Sequence, residues 1–223
     1  MTSTKLTAAD EQSPAAEAVY SALRESILDQ TLAPDSAVTE AAVSSTFGAS
    51  RPTARGAIDR LVAEGLLRRE PFKTARVPAL DADDIRDVFD SRAIVEAAAV
   101  ERLATHGSLP ADALEAHRQL LAAARDGATF AHADIAFHRA LVAGQSSARL
   151  TRMHHLLMGE IELCIGQVQA HHLLSATDVA AQHQGILDAL IAGDGQLAAR
   201  LTTDHVAGAR DALLSHRSTA HAA

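Results

Sequence analysis

The chain has 223 residues, 48% of them apolar and only 3% aromatic, and a formal charge of −8. That length can bury a real core as one large domain or two small ones, and abundant Ala and Leu with few β-branched residues disfavour a β-sandwich and point to a mainly α protein. No apolar run approaches the roughly 18 to 20 residues that cross a bilayer, and the N-terminal stretch lacks a basic start followed by an apolar segment, so a cytoplasmic protein with no membrane partner is expected.

Residues 1–13 are polar and expected to be disordered. From Pro14 to about Gln30 the positions Val19, Leu23 and Ile27 follow a helical period. After the "TLAPD" break, "TEAAVSSTF" reads as a short helix capped by Thr39. The turn "GAS" leads to a second helix, capped by Ser50 and ended by Gly65. Two short helices meeting at a tight Gly-containing turn have helix-turn-helix spacing, with Arg51, Thr53 and Arg55 near the start of the second. "LLRRE-PFKT-ARVPAL" then reads as two short strands around a turn, completing a winged helix over residues 14–78. Beyond it, over residues 79–218, six helices are expected, at about 81–106, 110–126, 129–144, 147–172, 176–192 and 195–217, with a tail at 219–223. Asp81, Thr129 and Ser175 serve as N-caps, and the six form an antiparallel bundle. The single cysteine, Cys164, lies in an apolar helical pattern, as a buried thiol would.

Charge divides the chain at the same place. Residues 48–77 hold seven basic groups (Arg51, Arg55, Arg60, Arg68, Arg69, Lys73, Arg76) against three acidic ones (Asp59, Glu64, Glu70), a local +4. Residues 79–223 hold eleven basic against eighteen acidic, a local −7. A basic stretch attached to an acidic body suits phosphate binding, although a solvated basic face has the same composition.

Twelve histidines are many for this chain. His171, His172, His216 and His221 are expected at the surface. Asp134 and His138 of "DIAFH" are four apart and share a helix face, while His183 and His205 fall within the last two helices among apolar neighbours. If they converge, three imidazoles and a carboxylate make a first-row metal site with room for a ligand. The plainer reading is a set of hydrogen-bonded core histidines.

The run "VYSALRESILDQTLAPDSAVTEAAVSSTFGASRPTARGAIDRLVAEGLLRREPFKTARV" resembles the winged helix of GntR-family transcription regulators. "DVFDSRAIVEAAAVERLA" with "DIAFH" resembles the FCD sensing domain of the FadR subfamily, in its six-helix, VanR-like branch. The resemblance implies a homodimeric repressor or activator, repressor being the first choice, that binds double-stranded DNA at a palindromic operator under control of a small effector. Here Asp35 stands where the family usually has Gly, Pro52-Thr53 replaces Thr-Pro, and Thr74 replaces a wing Gly.

On that basis Arg51 and Arg55, one turn apart, are expected to read base edges, an Arg fork on guanine being worth roughly 1 to 3 kcal/mol of discrimination. Ser50 and Thr53 would hold phosphate at the helix start, and Lys73 and Arg76 would contact the backbone from the wing. Arg60 is expected to pair with Asp59, Glu64 or solvent. Metal-binding members place Asp-x3-His on one helix and single histidines on the last two, which assigns Asp134, His138, His183 and His205 to a divalent ion. Zinc is the default for such donors, with nickel and manganese open. Arg92, with Glu96 one turn on, matches the family's "R-x-x-x-E" pattern, and an Arg beside a metal suits a small organic acid; a plain Arg92–Glu96 intrahelical pair is the alternative. The rival functions are a metal sensor and a metal-dependent hydrolase. The hydrolase lacks a His-Glu-x-x-His motif or any evident general base.

Overall fold

The computed structural model describes residues 14–126 and 130–222. The expected disorder of 1–13 and the expected cap Thr129 lie outside them. Contacts divide the chain into two compact units, with the break between Ala79 and Leu80.

The first unit holds α1 (Pro14–Leu28), β1 (Ala37–Val38), α2 (Glu40–Phe47), α3 (Arg51–Ala63) and β2 (Ala75–Arg76). Helix α1 packs on α3, and α2 packs on α3. The contact is apolar because Ala54, Ala57, Ile58 and Leu61 recur on one face of α3 and meet Val19, Leu23 and Ile27 of α1 in the buried interior. Burying one such leucine or isoleucine stabilises by roughly 1.5 to 3 kcal/mol. Both helices of the tight pair start on a side-chain cap: Thr39 Oγ1 accepts from Ala42 N at 3.1 Å and Ser50 Oγ from Thr53 N at 3.2 Å. Gly48, at φ 62°, makes the turn between them. Glu64 caps the end of α3, with Gly65 beyond it in the left-handed region.

The wing differs from the expected two-stranded hairpin. Its first leg contributes one bridge, Arg68 to Arg76, rather than a strand, and the other edge of β2 pairs antiparallel with β1 in the register Ala37 to Arg76 and Val38 to Ala75. Pro71 cannot donate to a ladder, so the first leg turns away early. Strand β1 is too short to show alternation, and the turn before it depends on Asp35 at φ 63°. The family's Gly is expected there, and Asp tolerates this conformation better than most residues.

The second unit is α4 (Ala82–His106), α5 (Ala111–Asp126), α6 (Ala131–Gly144), α7 (Ala148–Ala170), α8 (Ala176–Ile191) and α9 (Gly195–Ala222). Helix α9 continues to Ala222, so the expected tail from 219 is helical instead; no Gly or Pro interrupts "LLSHRSTAHA". Helix α4 packs along α9 and against α6 and α7, and α8 packs on α5 and α9. Asp81 closes a capping box with Asp84 at the start of α4, and Ser147 and Ser175 cap α7 and α8. Phe130, at the start of α6, supplies no side-chain cap. The Gln169 side chain of α7 accepts from Phe130 N at 2.9 Å and Ala131 N at 2.7 Å instead, fixing the helix that carries Asp134 and His138.

A candidate DNA-binding head and a candidate metal centre

In the first unit, Arg51 and Arg55 lie on the exposed stripe of α3, opposite its buried face. Arg55 is 69% exposed and is flanked by Glu40 at 3.9 Å and Asp59 at 3.7 Å. Asp59 also holds Arg69, at 2.6 Å, which ties the first leg of the wing to the exposed side of α3. Lys73 pairs with Glu70, and Arg76 reaches the carboxylate and carbonyl of Asp35. Exposed pairs of this kind contribute at most about 1 kcal/mol, so a phosphate can displace the carboxylates. Arg60 is occupied, as expected, by Glu64 at 3.1 Å, and further by Glu17 at 2.7 Å. It also lies 3.4 Å over the Tyr20 ring. The Tyr20 hydroxyl donates to Glu64 at 2.6 Å, and burial together with that carboxylate pushes the phenol up to about 12.

In the second unit, α6 contributes Asp134 and His138 from one face, α8 contributes His183 and α9 contributes His205; all four are buried. Their ligand atoms lie within 4.8 Å of one another. The Nε2 atoms of His183, His205 and His138 stand 3.2, 3.6 and 3.8 Å from the same oxygen, Asp134 Oδ1. His138 Nε2 and His205 Nε2 are 3.0 Å apart. Gln182 Oε1, 2.7 Å from His205 Nδ1, orients that ring, and the Glu96 carboxylate lies behind the other, its Oε2 2.7 Å from His138 Nδ1. With the ring protons on Nδ1, both Nε2 lone pairs face each other, an arrangement that a cation between them relieves. Phe137 stacks on His183 at 3.9 Å and holds that ring flat.

Electrostatics prepare the same donor set. Burial depresses His138, and it drives His183 down to about 3, so both imidazoles are neutral. Burial alone would raise Asp134, but the imidazoles of His183 and His205 beside it prevail and hold the carboxyl well below its usual range. Neutral imidazoles and an ionised carboxylate are the protonation states that metal binding requires. Asp134 Oδ2 and His183 Nε2 are buried without a hydrogen-bond partner among the described residues. Donors bound about 2.1 Å from one ion lie roughly 3 to 4 Å from each other, and this cluster is close to that spacing. The cluster could hold a metal ion.

Beside it, Arg92 and Glu96 form the intrahelical pair, Nε to Oε1 at 2.8 Å, in full burial. Burial would raise Glu96, yet Arg92, with His138 and His154, keeps it well below the ordinary carboxylate range. His154 Nε2 donates to Glu96 Oε1 at 2.8 Å. Arg92 Nη1 and Nη2 are buried with no partner among the described residues. Glu96 therefore lies between an imidazole of the cluster and a guanidinium whose two Nη atoms have no partner among the described residues. Cys164 is buried, which pushes its thiol up to about 12 and removes it as a nucleophile.

Two family profiles match consecutive segments: "Bacterial regulatory proteins, gntR family" over residues 15–77 and "FCD domain" over residues 87–208. The chain belongs to the GntR family and carries an FCD domain. This GntR-family regulator is 30% identical over 174 residues to a probable D-xylose utilization operon transcriptional repressor of Paenarthrobacter nicotinovorans, covering 76% of each chain. In fold it is similar to a GntR transcriptional regulator from Rhodococcus sp. RHA1, with TM-score 0.73 and 24% identity over 91% of this chain and 99% of that one. It is similar also to McbR/YncC of E. coli, with TM-score 0.73 and 18% identity over 93% and 100%. The family is one of transcriptional regulators and not of enzymes, which removes the hydrolase reading. No helix among the described residues is long and apolar enough to cross a membrane.

The four expected metal-site residues of this GntR-family chain meet in one cluster, and the expected head residues share one unit. Two participants were missed. His154 lies four residues before buried Met158 and in register with Ile161 and Ile165, so the stripe on α7 carried a signal for its burial. Gln182 carried none, because its partner His205 is on another helix.

Proposed function

We propose that this regulator represses transcription as a homodimer on a palindromic operator and that a small carboxylate, bound beside a divalent ion in the FCD domain, alters its hold on DNA. Arg51 and Arg55 read bases in the major groove, Ser50 and Thr53 hold phosphate at the start of α3, and Lys73 and Arg76 hold the backbone from the wing. Repression has the support of the similar repressor from Paenarthrobacter nicotinovorans. A DNA-binding regulator works in the cytoplasm.

Asp134, His138, His183 and His205 hold the ion, with zinc as the first choice for three imidazoles and a carboxylate. When bound, the ion supplies positive charge for one carboxylate oxygen. Arg92 holds the other end through Nη1 and Nη2, and Glu96 with His154 fixes the guanidinium plane. The observation that carries this reading is the convergence of three imidazole nitrogens on Asp134 Oδ1 in a bundle that also buries two guanidinium nitrogens without a partner among the described residues.

The test has two arms. Elemental analysis of protein purified without added metal is expected to give one equivalent of a divalent ion, lost in His183→Ala; wild type that stays metal-free after incubation with zinc refutes the site. Arg55→Ala is expected to weaken operator binding by at least about 1 kcal/mol, and unaltered gel retardation refutes that residue's role. If the ion alone changes DNA affinity and carboxylates do not, the ion is the signal.

A further inference from the structure

The tip of the wing carries a residue that the folded head does not use. Lys73 N bonds to Glu70 O at 3.0 Å, closing a four-residue turn with Pro71 second and Phe72 third. Phe72 adopts φ 64°. Proline in the second place and a positive φ in the third define a type II turn, whose third position calls for Gly or Asn. A bulky aromatic residue there is a genuine conformational outlier. Phe72 is also completely exposed, at 109% of the reference area, so no packing among the described residues repays the strain. Strain of this kind, held with no internal return, is a signature of a residue kept for an external contact.

The surroundings say what that contact is. Lys73 follows directly, and Arg76 lies on the wing leg beyond, 53% exposed. On the other leg, Arg69 is bonded to Asp59, which sets the wing beside the exposed stripe of the recognition helix α3. The carboxylate facing this tip is that of Glu70, and Lys73 covers it at 2.6 Å. A basic wing beside a helix that enters the major groove reaches the neighbouring minor groove, where apolar side chains act as wedges between base pairs.

We infer that Phe72 is a minor-groove wedge, inserting its ring at a base step of the operator beneath the wing and kinking the duplex there. Flexible pyrimidine–purine steps yield most readily to such a ring, so Phe72 selects sequence by deformability at positions no side chain reads directly. The inference rests on the DNA-binding reading of the head.

The test begins by enriching duplexes from a random pool with wild-type protein. The enriched duplex is then made with 2-aminopurine placed in turn at each step flanking the half-sites. Wild type is expected to raise the fluorescence at one step per half-site, by unstacking it, and to bend the duplex in a circular-permutation gel assay. Phe72→Gly, which suits the turn better, should melt no lower than wild type yet lose both signals and bind about tenfold more weakly; Phe72→Trp should keep them. Equal affinity and equal bending by Phe72→Gly overturn the wedge alone. If Phe72→Gly changes the sedimenting mass but not DNA binding, the ring is a protein contact and the wedge is overturned. Should wild type enrich no duplex, the wedge and the DNA-binding reading fall together.

Discussion

At the residue scale, Arg92 is held at a cost that its own pair does not justify. A buried ion pair gains little net stability, because desolvation offsets most of the attraction, but breaking it leaves an uncompensated charge. Glu96 would be that charge, left with only His154 and His138 beside it. Arg92→Ala is therefore expected to destabilise the second unit by about 3 kcal/mol in urea unfolding, and to abolish any thermal shift that small carboxylates give wild type. Arg92→Lys keeps a charge but not the planar fork, so it should recover part of the stability and none of the carboxylate response. Stability equal to wild type in Arg92→Ala would contradict the pairing, and surviving carboxylate shifts would contradict the binding role. The sequence carried Asp134 and His138 as a spacing on one helix, and it carried His183 and His205 as polar intrusions in apolar stripes. It did not carry Gln182 or the approach of Glu96 to His138, because contacts across helices leave no period along the chain.

At the element scale, the helices were legible because each has a local beginning and end. Asp81, Ser147 and Ser175 cap the helices that follow them, and Gly107 and Gly193 stand just beyond helix ends at φ 60° and 71°. The wing was misread because a strand of two residues and a single bridge hold no alternation, and their pairing depends on Asp35 and Ser36, far off in sequence. Close approaches between elements were equally hidden. Gly144, the last residue of α6, is one: a Cβ there would lie 2.2 Å from Pro110 Cγ, just before α5. Gly144→Ala is expected to cost about 1 to 3 kcal/mol, since a proline ring cannot swing aside. Gly56, inside α3, has no atom of the described residues beyond its chain neighbours and its own helix backbone within 4 Å of its would-be Cβ, so Gly56→Ala should stabilise by about 0.5 to 1 kcal/mol through helix propensity. Urea midpoints of the two variants should move in opposite directions, and a Gly144→Ala variant as stable as wild type would show that α5 and α6 can shift apart.

At the scale of the whole molecule, positive charge is concentrated in residues 48–77, within the unit that matches the GntR profile and binds DNA, while the second unit carries most of the acidic excess. An effector that changes operator affinity 100-fold must bind one state of the regulator more favourably by roughly 2.7 kcal/mol, and an ion bound by the proposed site would supply stabilisation of the same order, since ligand at about 100 times its dissociation constant contributes about 2.7 kcal/mol. That stabilisation belongs to the unit holding the donors. Without an ion, Asp134 stays ionised beside the neutral imidazoles of His138 and His183, and the Nε2 atoms of His138 and His205 stand 3.0 Å apart. Chelation is therefore expected to lower the melting of the second unit by several degrees and to leave that of the first unchanged. The two can be told apart by hydrogen exchange, with amides of α6, α8 and α9 losing protection while those of α1 and α3 keep theirs. His205→Ala, lacking a donor, should melt at the chelated temperature and respond to neither chelator nor zinc. Equal loss of protection in both units would mean that the ion stabilises the chain as one cooperative body, and a chelator without effect on wild type would mean that the four side chains are a hydrogen-bonded core and nothing more.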